Sequence, residues 1–181
     1  IAGTGTLGAA DNSNPLQASF GYITGVAADS AGNVYVLEND GAKSRLRKIG
    51  YDSTTNAYGP VTTLVSTTQN LTIGEGLLVA QDGSGLYFTT QTDLRKFTFS
   101  NSQVSVVANV AGNMSYALNG DMLVSGYTSI YRVTTQGQVT IPSEVSPVVG
   151  AYTNMLQLAN GYFVRGNGDF NLDVITAAGG R

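Results

Sequence analysis

The chain contains no cysteine, no histidine and no tryptophan among its 181 residues. Without cysteine it can form neither a disulfide framework nor a zinc–thiolate site, and it has no thiol nucleophile. The absence of histidine also excludes Ser-His-Asp and Cys-His catalytic systems, together with the commonest metal ligand in proteins. The composition therefore predicts a protein that is not an enzyme.

Charge is also scarce, since charged residues make up 12% of the chain and the net charge is −3. No stripe of Lys and Arg offsets the acidic balance, which argues against nucleic acid as a partner. The densest basic cluster, "KSRLRK" at 43–48, alternates along a predicted strand. At least one of its members is expected to serve only as a solvated surface residue.

Long apolar runs are missing as well, and none reaches the roughly 18 residues that a membrane-spanning helix requires. The chain begins at Ile1 and ends in "AAGGR". This pattern predicts a processed or excised segment, and a longer parent chain is one of the alternatives that stay open.

What the chain has in abundance is glycine, at 23 residues, together with a hydrophobic content of 42%. That mixture favours short strands joined by tight turns over helices. The stretch "DSAGNVYVLENDGAKSRLRKI" at 29–49 shows a turn, a strand, a second turn and a second strand. The same unit recurs in three later segments, at 81–99, 118–135 and 158–176. Alignment of the four copies makes four residues equivalent: Tyr35, Tyr87, Leu123 and Phe163.

Each copy is preceded by an apolar strand, and the first three are followed by a fourth strand. Four antiparallel strands in about 40 to 45 residues are typical of a propeller blade. The sequence therefore predicts an all-β fold, a β-propeller of four-stranded antiparallel blades in one domain over 1–181. The blades are predicted near 20–67, 73–110, 112–145 and 150–181. The rival β-sandwich would not require the unit to recur in phase.

The fourth copy lacks an outer strand of its own, and "IAGTGTLG" at 1–8 is predicted to supply it. Pairing of the two chain ends would remove exposed sheet edges. Two arrangements stay open at this point, a complete four-bladed ring and a part of a larger propeller.

The stretch "FGYITGVAADSAGNVYVLENDGAKSRLRKI" at 20–49 resembles an NHL-type propeller repeat, and 1–12 looks like the closing strand and linker before such a repeat. The likeness is best over 1–49. Ile23-Thr24 replaces the usual Pro, Glu38 replaces the usual Asp, and the later copies are degenerate. The resemblance implies membership of a group that includes binding scaffolds, bacterial surface domains, and a few metal-dependent lyases and lactonases, so the fold alone does not select a function.

The predicted ligand-binding position is the mouth of the central channel, where the innermost strands begin. One residue from each copy is placed there: Thr24, Glu75, Asn113 and Asn154. One carboxylate with two amides could bind a cation or a polar ligand. The same residues would also suit the simple role of capping a water-filled tunnel.

Tyrosine offers contact area with a polar tip, which suits protein or sugar recognition where the ring is exposed. The tyrosines predicted near loops, and hence as surface contacts, are Tyr22, Tyr58, Tyr127 and Tyr152. Those at repeat positions are predicted to pack between blades: Tyr35, Tyr87 and Tyr131. The lack of tryptophan counts against a glycan-binding role.

No resident cofactor is predicted, and calcium is the one ion that the acidic turns would suit. Asp29, Asp82 and Asp121 lie in or beside the recurring turn, where carboxylates could ligate calcium. Aspartates in such turns more commonly accept hydrogen bonds from nearby backbone amides, which is the favoured interpretation here. The segment 166–173 resembles a calcium loop only superficially, because it lacks the alternating ligand spacing.

Three functions follow as hypotheses. The favoured one is a non-catalytic binding or display module of an extracellular, cell-surface or periplasmic protein, with a protein or glycan at the cell surface as partner. The second is a lactonase- or lyase-like propeller enzyme with an oxygen-ligated metal at the channel mouth. The third is a lectin-like module that binds glycans through its loops.

Overall fold

A computed structural model of the chain describes residues 1–67, 73–126, 129–142, 155–166 and 172–175. Within these ranges the regular structure consists of β-strands and one short 3-10 turn at Pro15–Gln17. No helix there is long and apolar enough to cross a membrane.

The strands form four antiparallel sheets, each built from consecutive strands. The first sheet contains β1 (Tyr22–Ala28), β2 (Val34–Asn39), β3 (Ser44–Asp52) and β4 (Ala57–Thr67). The second contains β5 (Ile73–Val79), β6 (Gly85–Thr90), β7 (Leu94–Thr98) and β8 (Gln103–Ala108). The third contains β9 (Asn113–Tyr116), β10 (Met122–Ser125), β11 (Ile130–Val133) and β12 (Val139–Thr140). The described strands of the fourth are β13 (Met155–Gln157), β14 (Phe163–Gly166) and β15 (Leu172–Ile175).

The sheets stack face to face in chain order. Their innermost strands contact one another in the sequence β1, β5, β9 and β13. Separate apolar cores fill the three spaces between neighbouring sheets. The predicted unit of four strands is therefore confirmed in the first three sheets. Each of these sheets buries one apolar face against the sheet that follows it in the chain.

Two of the aligned repeat positions pack as predicted. Tyr35 lies in the core between the first and second sheets, and Tyr87 lies in the core between the second and third. Each of these two residues is 2% exposed. The third aligned residue, Leu123, lies between the third and fourth sheets.

The alignment of Phe163 with these residues is wrong by one position. In each sheet the turn before the second strand contains a glycine whose amide donates to the carbonyl three residues earlier; these are Gly32, Gly83, Gly120 and Gly161. Val164 lies three residues after its glycine, as Tyr35 and Leu123 do, whereas Phe163 lies only two residues after it. The second turn is one residue longer, so that Tyr87 lies four residues after Gly83. A shift of one residue moves a strand side chain to the opposite face. Phe163 accordingly points back into the core that the fourth sheet shares with the third.

The N-terminal segment, residues 1–21, covers the other face of the first sheet. Ala18 there is fully buried against Val36, Ile49 and Val61 of that sheet. Residues 1–8 were predicted to pair with the fourth sheet, but in the described part of the chain they hydrogen-bond to residues 15–20 instead. The apolar face of the first sheet explains this placement, because it would otherwise lie open to water.

A buried arginine fastens the N-terminal segment to the first sheet. Arg47 and its partner Glu38 are both 0% exposed, with an Nη1–Oε1 distance of 3.2 Å. The guanidinium also lies 4.7 Å above the ring of Phe20. It donates to three further oxygens, those of Ser19 O at 2.6 Å, Asp11 Oδ1 at 2.7 Å and Ala10 O at 2.9 Å. Within the basic cluster, Arg47 is therefore a buried structural residue, whereas Lys43 is exposed to solvent.

The opposite end of the stack presents an apolar face that none of the described residues covers. Leu156, Val164 and Val174 lie side by side on neighbouring strands of the fourth sheet. Leu156 is 58% exposed and Val174 is 44% exposed. The corresponding residue of the first sheet, Tyr35, is buried by the sheet that follows. Among the residues that the structure describes, the N-terminal segment thus covers one end of the stack, and the other end is exposed.

Candidate functional site

The described residues contain a cavity of about 290 Å³ between the innermost strands of the first three sheets. The cavity, called here the inner pocket, is lined by Thr24, Gly25, Val26, Glu75, Leu77, Asn113 and Met114. Three of the four residues predicted at the channel mouth therefore line one space. The fourth, Asn154, lies outside the described residues.

Two glycines allow the three strands to come this close. A β-carbon at Gly25 would lie 3.0 Å from the Glu75 carbonyl oxygen on the neighbouring strand. One at Gly76 would lie 2.6 Å from Met114 Cγ. Any larger residue at these positions would force β1, β5 and β9 apart, so the glycines set the width of the inner pocket.

Hydrogen bonds between sheets hold this spacing. The buried hydroxyl of Thr89 donates to the Gly112 carbonyl at 2.8 Å and accepts from the Gly76 amide at 3.1 Å. Thr89 thereby ties the residue next to Glu75 to the residue next to Asn113. The sequence analysis missed this role, and its one signal was a pair of threonines, Thr89 and Thr90, directly after the apolar run of β6.

Thr24 and Glu75 both lie at irregularities in their strands. The register of β1 against β2 shifts between Ile23 and Gly25, and the register of β5 against β6 shifts between Ile73 and Leu77. Such bulges redirect side chains away from the regular alternation of a strand. They account for polar side chains lining the cavity between otherwise apolar strands.

The inner pocket has an acidic character that comes from one side chain. Glu75 is exposed, and no hydrogen bond or ion pair engages its carboxylate within the described part of the chain. The Thr24 hydroxyl donates to the Gly74 carbonyl at 3.0 Å. Asn113 is only 7% exposed and is engaged by the rest of the chain. The site thus offers a free carboxylate beside polar groups that the fold already holds in place.

The aspartates of the recurring turn accept hydrogen bonds from groups in and beside that turn. Asp29 accepts hydrogen bonds from the amides of Ala31 and Asn33, from the Asn33 side chain and from the Tyr35 hydroxyl. Burial alone would raise the pKa of Asp29, but the hydrogen bonds from Asn33, Tyr35 and the backbone outweigh it and lower that pKa. Asp82 accepts from the Ser84 amide at 2.9 Å. These contacts agree with the favoured interpretation of local turn hydrogen bonding.

The binding of calcium stays a prediction, and the described residues bear on its carboxylate ligands alone. Calcium takes six to eight oxygen ligands, commonly from several carboxylates. Within the described ranges no three acidic side chains converge, and the lining of the inner pocket contributes one carboxylate. The middle of the segment 166–173 lies outside the described residues.

The tyrosines predicted as surface contacts have different placements. Tyr22, at the start of β1, is 67% exposed. Tyr58 is half-buried, and its ring lies 5.2 Å from that of Tyr51 and packs toward the core under the N-terminal segment. Tyr127 and Tyr152 lie outside the described residues.

Comparison with known proteins finds likeness in structure. Virginiamycin B lyase from Staphylococcus aureus superposes with a TM-score of 0.67 at 16% identity, covering 94% of this chain and 57% of the lyase chain. A chain of a nidogen/laminin complex gives a TM-score of 0.65 at 15% identity, covering 88% of this chain and 62% of that one. The extracellular domain of a putative hybrid two-component system from B. thetaiotaomicron gives a TM-score of 0.59 at 16% identity. That match covers 84% of this chain and 21% of the other.

These likenesses define the class of fold, which is a β-propeller of stacked antiparallel sheets. The chain spans less than two thirds of the length of each of these structures. No protein-family model and no curated protein sequence matches it. The narrower assignment to NHL repeats therefore stays a prediction.

Proposed function

We propose that this chain is a non-catalytic binding module that acts outside the cytoplasm and receives its ligand at the inner pocket. The observation that carries the proposal is the convergence of Thr24, Glu75 and Asn113, from three successive sheets, on one cavity. A cavity of about 290 Å³ is close to the lower end of the range for small-molecule sites. It is also large enough for one protruding side chain of a partner protein.

The absence of catalytic residue types supports a binding role over chemistry. The chain has neither histidine nor cysteine, and the described lining of the inner pocket holds a single carboxylate. A general acid–base mechanism normally uses a second titratable group with a shifted pKa. The lyase-like or lactonase-like alternative would require additional ligands for a metal ion.

A location outside the cytoplasm is supported by composition and by two structural neighbours. Low charge and abundant Thr, Ser and Asn suit surface-displayed domains. One neighbour is described as an extracellular domain and another comes from a nidogen/laminin complex. For the lectin-like alternative, the exposed ring of Tyr22 is the described feature that would contact a sugar.

The proposal is tested by nuclear magnetic resonance with a fragment mixture of small cations, small anions and neutral sugars. Binding at the inner pocket should shift the amide signals of Gly25, Leu77 and Met114 while leaving Gly161, in a distant turn, unchanged. Shifts confined to the surroundings of Tyr22 would favour the lectin-like alternative. Shifts in neither region would contradict the proposal, and calcium-dependent hydrolysis of a lactone would contradict its non-catalytic part.

A further inference from the structure

One side-chain position recurs in all four sheets and is buried in three of them. It lies on the third strand of each sheet, in cross-strand register with the residue two places after the aligned position of the second strand. Leu46, Leu94 and Ile130 occupy it in the first three sheets and are 0%, 0% and 2% exposed, because the following sheet covers each of them. Leu172 occupies it in the fourth sheet and is 74% exposed. The fourth sheet therefore has the composition of an interface without a covering sheet among the described residues.

The exposed face of the fourth sheet, called here the end face, consists of Leu156, Val164, Gly166, Leu172 and Val174. Cross-strand partners lie on the same face of a sheet. The register places Leu156, Val164 and Val174 side by side, with Leu172 directly opposite Gly166 in the next row. These described residues carry no charge and no polar side chain. Contiguous exposed apolar residues of this kind mark a surface for contact with another protein.

Gly166 and Leu172 give the end face a self-complementary shape. A β-carbon added at Gly166 would meet no heavy atom of the described residues within 4 Å, its chain neighbours aside. A hollow therefore lies beside the projecting side chain of Leu172. In a pair of copies related by a two-fold axis, a contact of one residue with another is repeated in the reverse direction. The leucine of each copy can thus fill the hollow of the other at the same time.

The other sheet faces are occupied within the described part of the chain. Three apolar cores fill the spaces between neighbouring sheets, and the N-terminal segment lies over the core of the first sheet's other face. A second copy could stack its end face there only by displacing that segment, and repeated stacking of this kind would build an open filament. The apolar sheet face that a second copy leaves free is its own end face.

We propose that two copies of this chain associate through their end faces about a two-fold axis, with Leu172 of each copy seated over Gly166 of the other. The described strands of this sheet have three or four residues each, so the face measures about 14 Å by 13 Å. An interface of this size is smaller than that of a stable complex, and the pair is weak, with a Kd on the order of 0.1 mM. Chains at low micromolar concentration therefore stay apart. The association is independent of the inner pocket.

Sedimentation equilibrium of the intact chain, from about 5 µM to about 500 µM, tests the proposal. A monomer is expected at the lower end and a dimer at the upper end. Isotope-filtered Overhauser spectra of the concentrated sample should join the Leu172 methyl groups of one copy to the Gly166 α-protons of the other. Leu172→Lys places a charge in the apolar contact and should raise the Kd by about tenfold or more. Because Leu172 is largely exposed, this variant should fold as the unmodified chain does.

Gly166→Val separates a specific pair from general stickiness. The substitution adds apolar surface, so nonspecific adhesion of the end face would become stronger. In the proposed pair the new side chain fills the hollow that receives the partner's Leu172, and the Kd should rise by about tenfold. The matched control is Leu16→Lys, since Leu16 is also an exposed leucine, at 59%, but lies at the covered end of the stack. This control should keep the Kd within about twofold.

Three results would overturn the proposal. A chain that stays monomeric at every concentration would leave the end face to a sheet from outside this chain. Tighter association of Gly166→Val, or growth into larger polymers, would replace the specific pair by nonspecific adhesion or open stacking. Equal weakening by Leu16→Lys and Leu172→Lys would move the contact away from the end face. None of these results bears on the binding function proposed for the inner pocket.

Discussion

Replacement of Arg47 by methionine is expected to lower the free energy of unfolding by about 3–5 kcal/mol, because one partner of a buried charge pair is removed. Glu38 would keep its negative charge at 0% exposure, with the Gly21 amide at 3.0 Å and the Arg45 guanidinium at 3.8 Å as its remaining partners. Urea denaturation followed by circular dichroism measures the loss.

The same substitution should also release the N-terminal segment. Arg47 donates to the carbonyl oxygens of Ala10 and Ser19 and to the side chain of Asp11, and these bonds would all be lost. Limited proteolysis of Arg47→Met is therefore expected to cut within residues 1–21 before the sheets unfold. Unchanged cleavage would show that this segment is held by other contacts.

Arg95→Met is the matched control for the Arg47 substitution. Arg95 also pairs with a carboxylate, that of Asp93 at 2.8 Å, but its side chain is 23% exposed. Partly exposed pairs contribute about 1 kcal/mol or less. A double variant, Glu38→Gln with Arg47→Met, removes both buried charges and should be more stable than Arg47→Met alone. Similar losses in Arg47→Met and Arg95→Met would contradict the account of the buried pair.

Replacement of Phe88 by alanine should cost about 3–5 kcal/mol, since it would leave a cavity where two sheets meet. Phe88 is fully buried in the core between the first and second sheets, beside Tyr35 and Leu77. Neither sheet can bury the apolar face that it contributes to this core without the other, so both sheets should be destabilised. Hydrogen exchange of the two sheets should accelerate together and can be followed residue by residue.

Leu156→Ala serves as the control for Phe88→Ala. Leu156 is 58% exposed on the uncovered face of the fourth sheet, where its removal takes little area from the core. A change within about 0.5 kcal/mol is expected at such a position. A large loss at Leu156 would mean that this face is covered in solution.

Much of the repeat architecture was readable from the sequence, because a strand that must be covered on both sides leaves a strong apolar pattern. An apolar strand was predicted before each copy of the unit, and the first two of these strands are observed as Tyr22–Ala28 and Ile73–Val79. Once these strands were placed in phase, Thr24 and Glu75 had to lie at equivalent ends of neighbouring blades. Their convergence on one cavity follows from the repeat.

Other features depend on contacts that no local pattern records. Arg47 looks like any alternating surface cation, and its burial arises from a segment that lies 28 residues away at Ser19. Phe163 and Val164 are both apolar, so the sequence did not reveal which of them faces the third sheet. The bracing role of Thr89 likewise depends on the carbonyl of Gly112, in another sheet.

The stacking of four small sheets in chain order is tested most directly by nuclear Overhauser spectroscopy on the unmodified chain. Cross-peaks are expected between the rings of Tyr35 and Phe99, whose centroids are 5.6 Å apart across the first interface. They are also expected between Leu123 and Phe163, which share the third interface. Cross-peaks that join the core of the first sheet directly to that of the third, with none between Tyr35 and Phe99, would contradict the stack and the pocket built on it.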